Sequence, residues 1–377
     1  MAEVHGTCDE RFETVRAALA ASLDAGLDVG ASAAVVLDGE LVADVWGGVV
    51  DDDGAPWDRD TIINVYSTTK TMTALCALLL ADRGDLDVDA PVVKYWPEFA
   101  ANGKGGVLVR HLLGHTAGLS GWSEPMKIED LYDWDLATSR LAAQEPWWAP
   151  GTASGYHALT QGYLVGEVVR RVTGASLGQF FAKELAGPLG ADFHIGTGPE
   201  CDDRVAALIP PPPLEMPEGI DLSPDSVAMR TFTNPAMDAR ASLTIPWRRA
   251  EIPAAGGHGN ARSVATVQSV LCGAEAGGRR LLSQAGADRV FEIQSIGPDL
   301  VLGAPLRLGI GYGISGPEVP IAQTDKACFW GGWGGSLVVN DLEKRMTVAY
   351  VMNKMGEGTL GDVRGAAIVA AAYEALS

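Results

Sequence analysis

Basic residues are scarce in this chain of 377 residues: Lys and Arg number 28 against 48 Asp and Glu, a formal net charge of −20. Such a surface repels a phosphate backbone or an anionic lipid, which excludes nucleic acid and membrane surfaces as partners. Long apolar runs are also missing. The densest, Leu75–Ala81 and Ala366–Ala372, fall short of the ~20 residues a spanning helix needs, and the acidic start Met1–His5 lacks the pattern of a secretory leader. Cysteine is sparse and odd in number: Cys8, Cys76, Cys201, Cys272 and Cys328 are scattered, with no CxxC spacing. Free thiols in a reducing compartment follow, hence a cytoplasmic protein. His111 and His115 stand four apart, but Leu112 occupies the place where a zinc hydrolase needs the Glu of HExxH, so the pair reads as helix packing or capping. Neither a metal nor an organic cofactor is expected.

Apolar residues make up 47% of the chain and charged residues 20%, enough for a large core without staples. The length implies two domains or one domain with a large insertion. Ala31–Leu37 and Leu41–Trp46 form a β-hairpin across Asp38-Gly39. After Thr61–Tyr66 comes Ser67-Thr68-Thr69-Lys70, and Thr71–Arg83 reads as an apolar helix stopped at Gly84. Leu86 to about Leu189 is mostly helical, including an amphipathic run over Leu159–Val172. Between Pro199 and Arg249 the run Pro210–Pro213 and the prolines 217, 224 and 235 leave little periodicity, as in a lid or covering loop. β-character returns at Leu308–Ile314, Ser336–Asn340 and Met346–Met352, before an amphipathic helix over Gly361–Leu376. The expected architecture is an α/β (α+β) fold: a discontinuous sheet domain of residues 1–85 and 250–377, and an inserted, mostly helical domain of 86–249 with its covering segment at 199–249.

S-x-x-K occurs once, at Ser67 and Lys70, and one helical turn puts the hydroxyl beside the ammonium. A serine hydroxyl is a weak nucleophile at neutral pH and needs a neighbouring base; a desolvated lysine supplies one, because burial lowers its pKa from ~10.4. Chance alone yields roughly 0.4 such tetrads in a chain of this composition, so the weight rests on two further segments. Trp147–His157 is a turn-rich loop that delivers Tyr156 ahead of the Leu159–Val172 helix. A phenol beside an ammonium is expected to be pulled below its usual ~10 and to pass a proton between the serine and a leaving group. The other segment, Trp330-Gly331-Gly332-Trp333-Gly334-Gly335-Ser336, runs into a strand, and its glycines imply a close approach to the backbone.

In these segments the chain resembles the class C β-lactamase and penicillin-recognising serine hydrolases, most closely the family VIII carboxylesterases. The likeness extends from the hairpin through Ser67–Lys70, Leu112–Leu119 and Pro150–Gly174 to the last strands. It implies a β-lactamase-like fold, Ser67 as the acylated nucleophile, Lys70 as its activating partner and Tyr156 as general base and acid. It also places Trp330-Gly331-Gly332 at the family's Lys-Thr-Gly or His-x-Gly triplet, with an oxyanion hole from the N–H groups of Ser67 and Trp333. Two departures favour small or short-chain esters over β-lactams: Ala158 stands where lactamases carry Asn, and Trp330 replaces the cationic Lys. Amide hydrolysis of β-lactam, D-peptide or 6-aminohexanoate-dimer type, acyl transfer to an alcohol, and a non-catalytic binding protein are the alternatives.

Gly174-Ala175-Ser176-Leu177-Gly178 matches G-x-S-x-G, but that motif needs a preceding strand and here a helix precedes it, so Ser176 reads as a helix start. His157 is expected to orient the tyrosine loop, and His258 to sit in a turn before a helix at Ser263. Trp122, Trp147, Trp148, Trp330 and Trp333 are candidates to wall an apolar pocket.

Overall fold

The computed structural model describes residues 2–51, 53–212, 221 and 223–377. Its main sheet has nine strands: β1 (Val4–Cys8), β2 (Gly30–Leu37), β3 (Glu40–Gly48), β4 (Ser295–Pro298), β5 (Pro305–Leu308), β6 (Gly313–Ile314), β7 (Ala327–Gly331), β8 (Leu337–Asp341) and β9 (Met346–Met352). They lie in the spatial order β1-β3-β2-β9-β8-β7-β6-β5-β4, every pair antiparallel. The early hairpin thus meets the late strands at the β2–β9 pair, from Met346 opposite Leu37 to Met352 opposite Ala31. All seven residues of β9 are buried. Because successive side chains point to opposite faces, unbroken burial means that both faces are covered. The helices Glu13–Asp24 and Val363–Glu374 pack on these central strands, as does Ala261–Gln268, which also touches the helix Thr69–Asp82.

Thr69–Asp82 is buried at every position from Thr69 to Leu80, far more than an amphipathic surface helix. It lies against the helix Thr160–Thr173. A small sheet of Ile63–Asn64, Gly257–Gly259 and Phe193–Ile195 pins the chain just ahead of it. Among the described residues no helix is long and apolar enough to cross a membrane.

The hairpin turns at Asp38-Gly39 as expected. Three expectations need correction. Leu308–Ile314 is two strands, because Gly309 N donates to Tyr312 O at 2.9 Å and folds the run into a tight turn. His258 lies in the middle of a strand; the cap of the following helix is Asn260, whose side chain accepts from Ser263 N. The described residues of the segment 199–249 include short helices, among them Val227–Thr233 and Ile245–Arg249, started by the side chains of Ser226 and Thr244. Elements of five to seven residues are too short to leave a 3.6-residue period in the sequence. Pro213 and Pro217 lie outside the described residues.

Candidate active site

Ser67 follows a residue held in an unusual conformation. Tyr66 has φ +44°, in the left-handed region, which costs a bulky residue about 1–3 kcal/mol and persists only where the surroundings enforce it. They do so here from three directions. Val65 N donates to Gly257 O at 2.9 Å, and Gly257 N donates to Thr69 Oγ1 at 2.9 Å. Ser336 Oγ donates to Val65 O at 2.8 Å and lies 2.9 Å from Thr68 Oγ1. The Tyr66 hydroxyl donates to Ala239 O at 2.9 Å. The serine is thereby presented at the head of the buried helix.

Lys70 Nζ lies 3.0 Å from Ser67 Oγ, 2.9 Å from Tyr156 Oη, 2.7 Å from Ala158 O and 2.9 Å from Ala254 O. Tyr156 Oη is 2.5 Å from Ser67 Oγ, which closes a triangle of the three side chains. Among the described residues no carboxylate is a partner of Lys70, and burial drives its ammonium well below the usual lysine range. Burial also pushes the Tyr156 phenol upward, against the expectation from the sequence that a neighbouring ammonium would lower it. The physical reason is that both groups lie in the same dry pocket, which favours the neutral amine beside the neutral phenol over an ion pair.

The tyrosine loop is held from behind by imidazoles. His157 N donates to His115 Nδ1 at 3.1 Å, His157 Nδ1 donates to Gly155 O at 2.6 Å, and Leu119 N donates to His157 Nε2 at 3.1 Å. This set of partners requires the neutral tautomer, and burial holds His157 down to about 3. Its ring is buried within the loop's own hydrogen bonds.

The segment from Trp330 divides its residues between packing and the cavity. Trp330, 1% exposed, stacks on His115 with centroids 5.3 Å apart and lies 5.8 Å from the Tyr156 ring; contrary to expectation it lines no part of the cavity. Gly331 faces the Leu360–Gly361 backbone. Gly332 meets the turn that carries Ser67: a Cβ there would stand 2.3 Å from Val65 O and 3.3 Å from Ser67 N, so only glycine allows this approach. Among the backbone hydrogen bonds of the described residues, the N–H groups of Ser67 and Trp333 have no acceptor. The turn is fastened from outside by Arg364, which donates to Gly334 O at 2.6 Å and pairs with Asp28 at 2.9 Å.

Ser67 and Tyr156 open into a cavity of about 380 Å³ walled by Leu159, Pro211, Phe232, Met237 and Trp333. Segment 199–249 therefore supplies much of the wall. Among the described residues that line it, Arg240 is the one cation, and it lies 3.6 Å from Asp238. The other tryptophans pack elsewhere: Trp122 donates to Ala137 O at 3.0 Å, Trp147 lies under the Arg230 guanidinium, and Trp148 donates to Ala153 O at 2.9 Å.

The remaining candidates fall away from this site. Ser176 accepts from Gln179 N as a helix cap and donates to Glu251 at 2.5 Å, and Gly174 ends the preceding helix with φ +75°. His111 accepts from Leu108 N at 3.2 Å, a capping role as expected. Tyr66, Ser336 and the backbone acceptors of Lys70 were not anticipated. Of these only Ser336 lay in a segment whose glycines drew attention to it.

A protein-family model described as Beta-lactamase matches residues 16–373. The chain is 36% identical over 365 residues to the esterase/beta-lactamase LipL of Mycobacterium tuberculosis, covering 93% of this chain and 83% of that protein. It is 34% identical over 206 residues to the esterase EstB of Burkholderia gladioli, covering 48% of this chain and 52% of that one. The crystal structure of a family VIII carboxylesterase superposes with a TM-score of 0.92 at 40% identity, covering 99% of this chain and 100% of the other.

Proposed function

The chain belongs to the beta-lactamase family and is a serine esterase, and we propose that it hydrolyses small or short-chain carboxylic esters through an acyl-enzyme on Ser67. The observation that carries this reading is the closed triangle of Ser67, Lys70 and Tyr156 on the floor of an apolar cavity. The division into a sheet domain of 1–85 and 250–377 and a helical domain of 86–249 belongs to the same proposal, supported by the fact that all nine strands of the main sheet fall in the first two ranges. So does a place in the cytoplasm, supported by five free cysteines, four of them buried.

A count of hydrogens assigns the roles. The carbonyls of Ala158 and Ala254 can only accept, so a neutral Lys70 spends both its N–H groups on them and turns its lone pair toward the hydroxyls. Tyr156 then donates to Ser67, and Ser67 to Lys70. As Ser67 Oγ attacks the ester carbonyl carbon, its proton passes to Lys70, and the N–H groups of Ser67 and Trp333 receive the oxyanion. The bond between the acyl carbon and the alcohol oxygen breaks as Tyr156 protonates that oxygen, and Lys70 returns a proton to Tyr156. Water repeats the sequence on the acyl-enzyme and releases the acid.

Weak or absent action on β-lactams is part of the proposal. Trp330 offers no cation, His157 is enclosed in its loop, and Arg240 at the cavity wall is already beside Asp238. The test is hydrolysis of p-nitrophenyl acetate, butyrate and octanoate beside nitrocefin, with methanol as an added acceptor, in the wild type, Ser67→Ala and Ser176→Ala. Fast turnover of short esters, little nitrocefin cleavage and a loss of at least ~10³-fold in Ser67→Ala alone is the expected result. Activity that survives Ser67→Ala would overturn it, and methyl ester accumulating in place of acid would make the protein an acyltransferase.

A further inference from the structure

Tyr156 does not belong to the main hydrophobic core. It packs in a separate small cluster with Val301, Leu302, Leu306, Leu308 and Trp330, most of it from β5 and the turn that precedes it. At the centre of that turn is Asp299, 2% exposed. Its Oδ1 accepts three backbone N–H groups: Tyr156 at 2.9 Å, Val301 at 2.9 Å and Leu302 at 3.0 Å. Leu300 N donates to Ser154 O at 2.9 Å, a second bond between the same turn and the tyrosine loop. The turn is closed on itself by Asp299 N to Ala304 O and Gly303 N to Asp299 O. Asp299 Oδ2 is buried and has no hydrogen-bond partner among the described residues. A carboxylate is expensive to bury, and half of this one is left unsatisfied. A role limited to closing a turn would be served as well by an exposed Asp or by Asn.

We propose that Asp299 is a positioning residue for ester hydrolysis: it holds the Tyr156 backbone so that the phenol stays within reach of both Ser67 and the departing alcohol. The inference rests on the Ser67 acyl-enzyme reading. It concerns the second half of acylation, the protonation of the leaving group, whereas the Ser67–Lys70 contact governs the first. The charge of Asp299 acts on Tyr156 in the same direction as burial. The other ionisable groups about Tyr156 are Lys70, His115 with its ring centroid at 5.3 Å and His157 next in the chain; burial favours the neutral form of all three. Among the described residues, Asp299 is thus the carboxyl group whose charge bears on the Tyr156 phenol.

Esters with good and poor leaving groups separate this role from a structural one. A p-nitrophenolate departs without a proton, whereas the alkoxide of an ethyl ester does not. Asp299→Ala is expected to lower kcat/KM for ethyl butyrate by about 10²-fold and for p-nitrophenyl butyrate by less than about 10-fold, the same split as Tyr156→Phe. Asp299→Asn keeps an acceptor for the three N–H groups, so it should restore most of the ethyl butyrate activity. Because it removes the charge, its alkaline limb in the pH–rate profile should move to lower pH. Equal losses on both esters in Asp299→Ala, or an Asp299→Asn profile that superposes on the wild type, would overturn the proposal. If Asp299→Ala does not fold, the profile of Asp299→Asn decides alone. Full activity in Ser67→Ala would instead remove the acyl-enzyme reading on which all of this stands.

Discussion

The hydroxyl of Tyr66 donates to the carbonyl oxygen of Ala239 at 2.9 Å, joining the residue ahead of Ser67 to the segment that walls the cavity. Ala239 O keeps a second donor in Ser242 Oγ at 2.8 Å, so it is not orphaned when the phenol is lost. Tyr66→Phe is therefore expected to cost only about 1 kcal/mol of stability. Its larger effect should be on substrate capture, with KM rising more than kcat falls. Steady-state kinetics on p-nitrophenyl butyrate with urea unfolding of the same preparation measures both; an unchanged KM would separate the wall from the nucleophile turn.

The burial of Lys70, which disfavours its ammonium, sets the acid side of the pH dependence. Burial lowers its pKa from an ordinary 10.5, and the free enzyme is competent only with the amine unprotonated. The kcat/KM profile should rise with pH along a limb below 10.5 and fall again at higher pH as Tyr156 ionises, the two limbs belonging to the coupled pair. A rising limb at or above the ordinary lysine value would show that Lys70 rests as an ammonium.

Gly332 is packed against the nucleophile turn too closely for any side chain. The Cβ of Gly332→Ala would stand 2.3 Å from both Val65 O and Ser336 Oγ, so the strand must retreat and take the Trp333 N–H with it. A loss of about 10²-fold in kcat is expected, the size associated with one oxyanion donor. The fluorophosphonate labelling rate of Ser67 should fall in parallel. Unimpaired labelling would place the oxyanion elsewhere.

His258 is buried with Nδ1 donating to Gly256 O at 2.9 Å and Nε2 unpartnered, and burial holds it down to about 3 against an ordinary 6.5. Between those values the unfolded chain binds a proton that the folded chain refuses, so stability falls as the pH drops through this window. Replacing the imidazole removes that contribution. His258→Asn should lose about 2 kcal/mol less than the wild type between pH 7 and pH 5 in urea unfolding. Identical losses would mean that His258 is protonated in the fold.

Much of the site was legible before the structure because its chemistry is local or framed by local signals. Ser67 and Lys70 share a helical turn, Tyr156 stands at the mouth of a loop rich in turn residues, and Asp38-Gly39 marks its hairpin. Asp299 was not legible: it is a single polar residue 143 positions from the N–H it holds, and no period or spacing links the two. Ser336 is 271 positions from Val65 O. Trp330 was misplaced for a related reason. An aromatic residue beside paired glycines looks the same in sequence whether its ring faces a cavity or the back of another residue, and here it faces His115. The direction of the Tyr156 shift was misjudged because adjacency to a cation is visible in sequence, whereas the dryness that neutralises the cation is not.

The hydrogen bond between Thr68 and Ser336 spans 268 residues of chain. A ribosome that has finished the serine helix has still to add the whole wall segment and four of the nine sheet strands, β4 to β7, before the glycine turn can close over it. Until then the nascent chain carries the Ser67 hydroxyl without the second of the two N–H groups proposed to receive the oxyanion, because Trp333 does not yet exist. Competence to cleave an ester thus waits for the late strands, and the activity of this protein reports that the serine helix and the glycine turn have found one another.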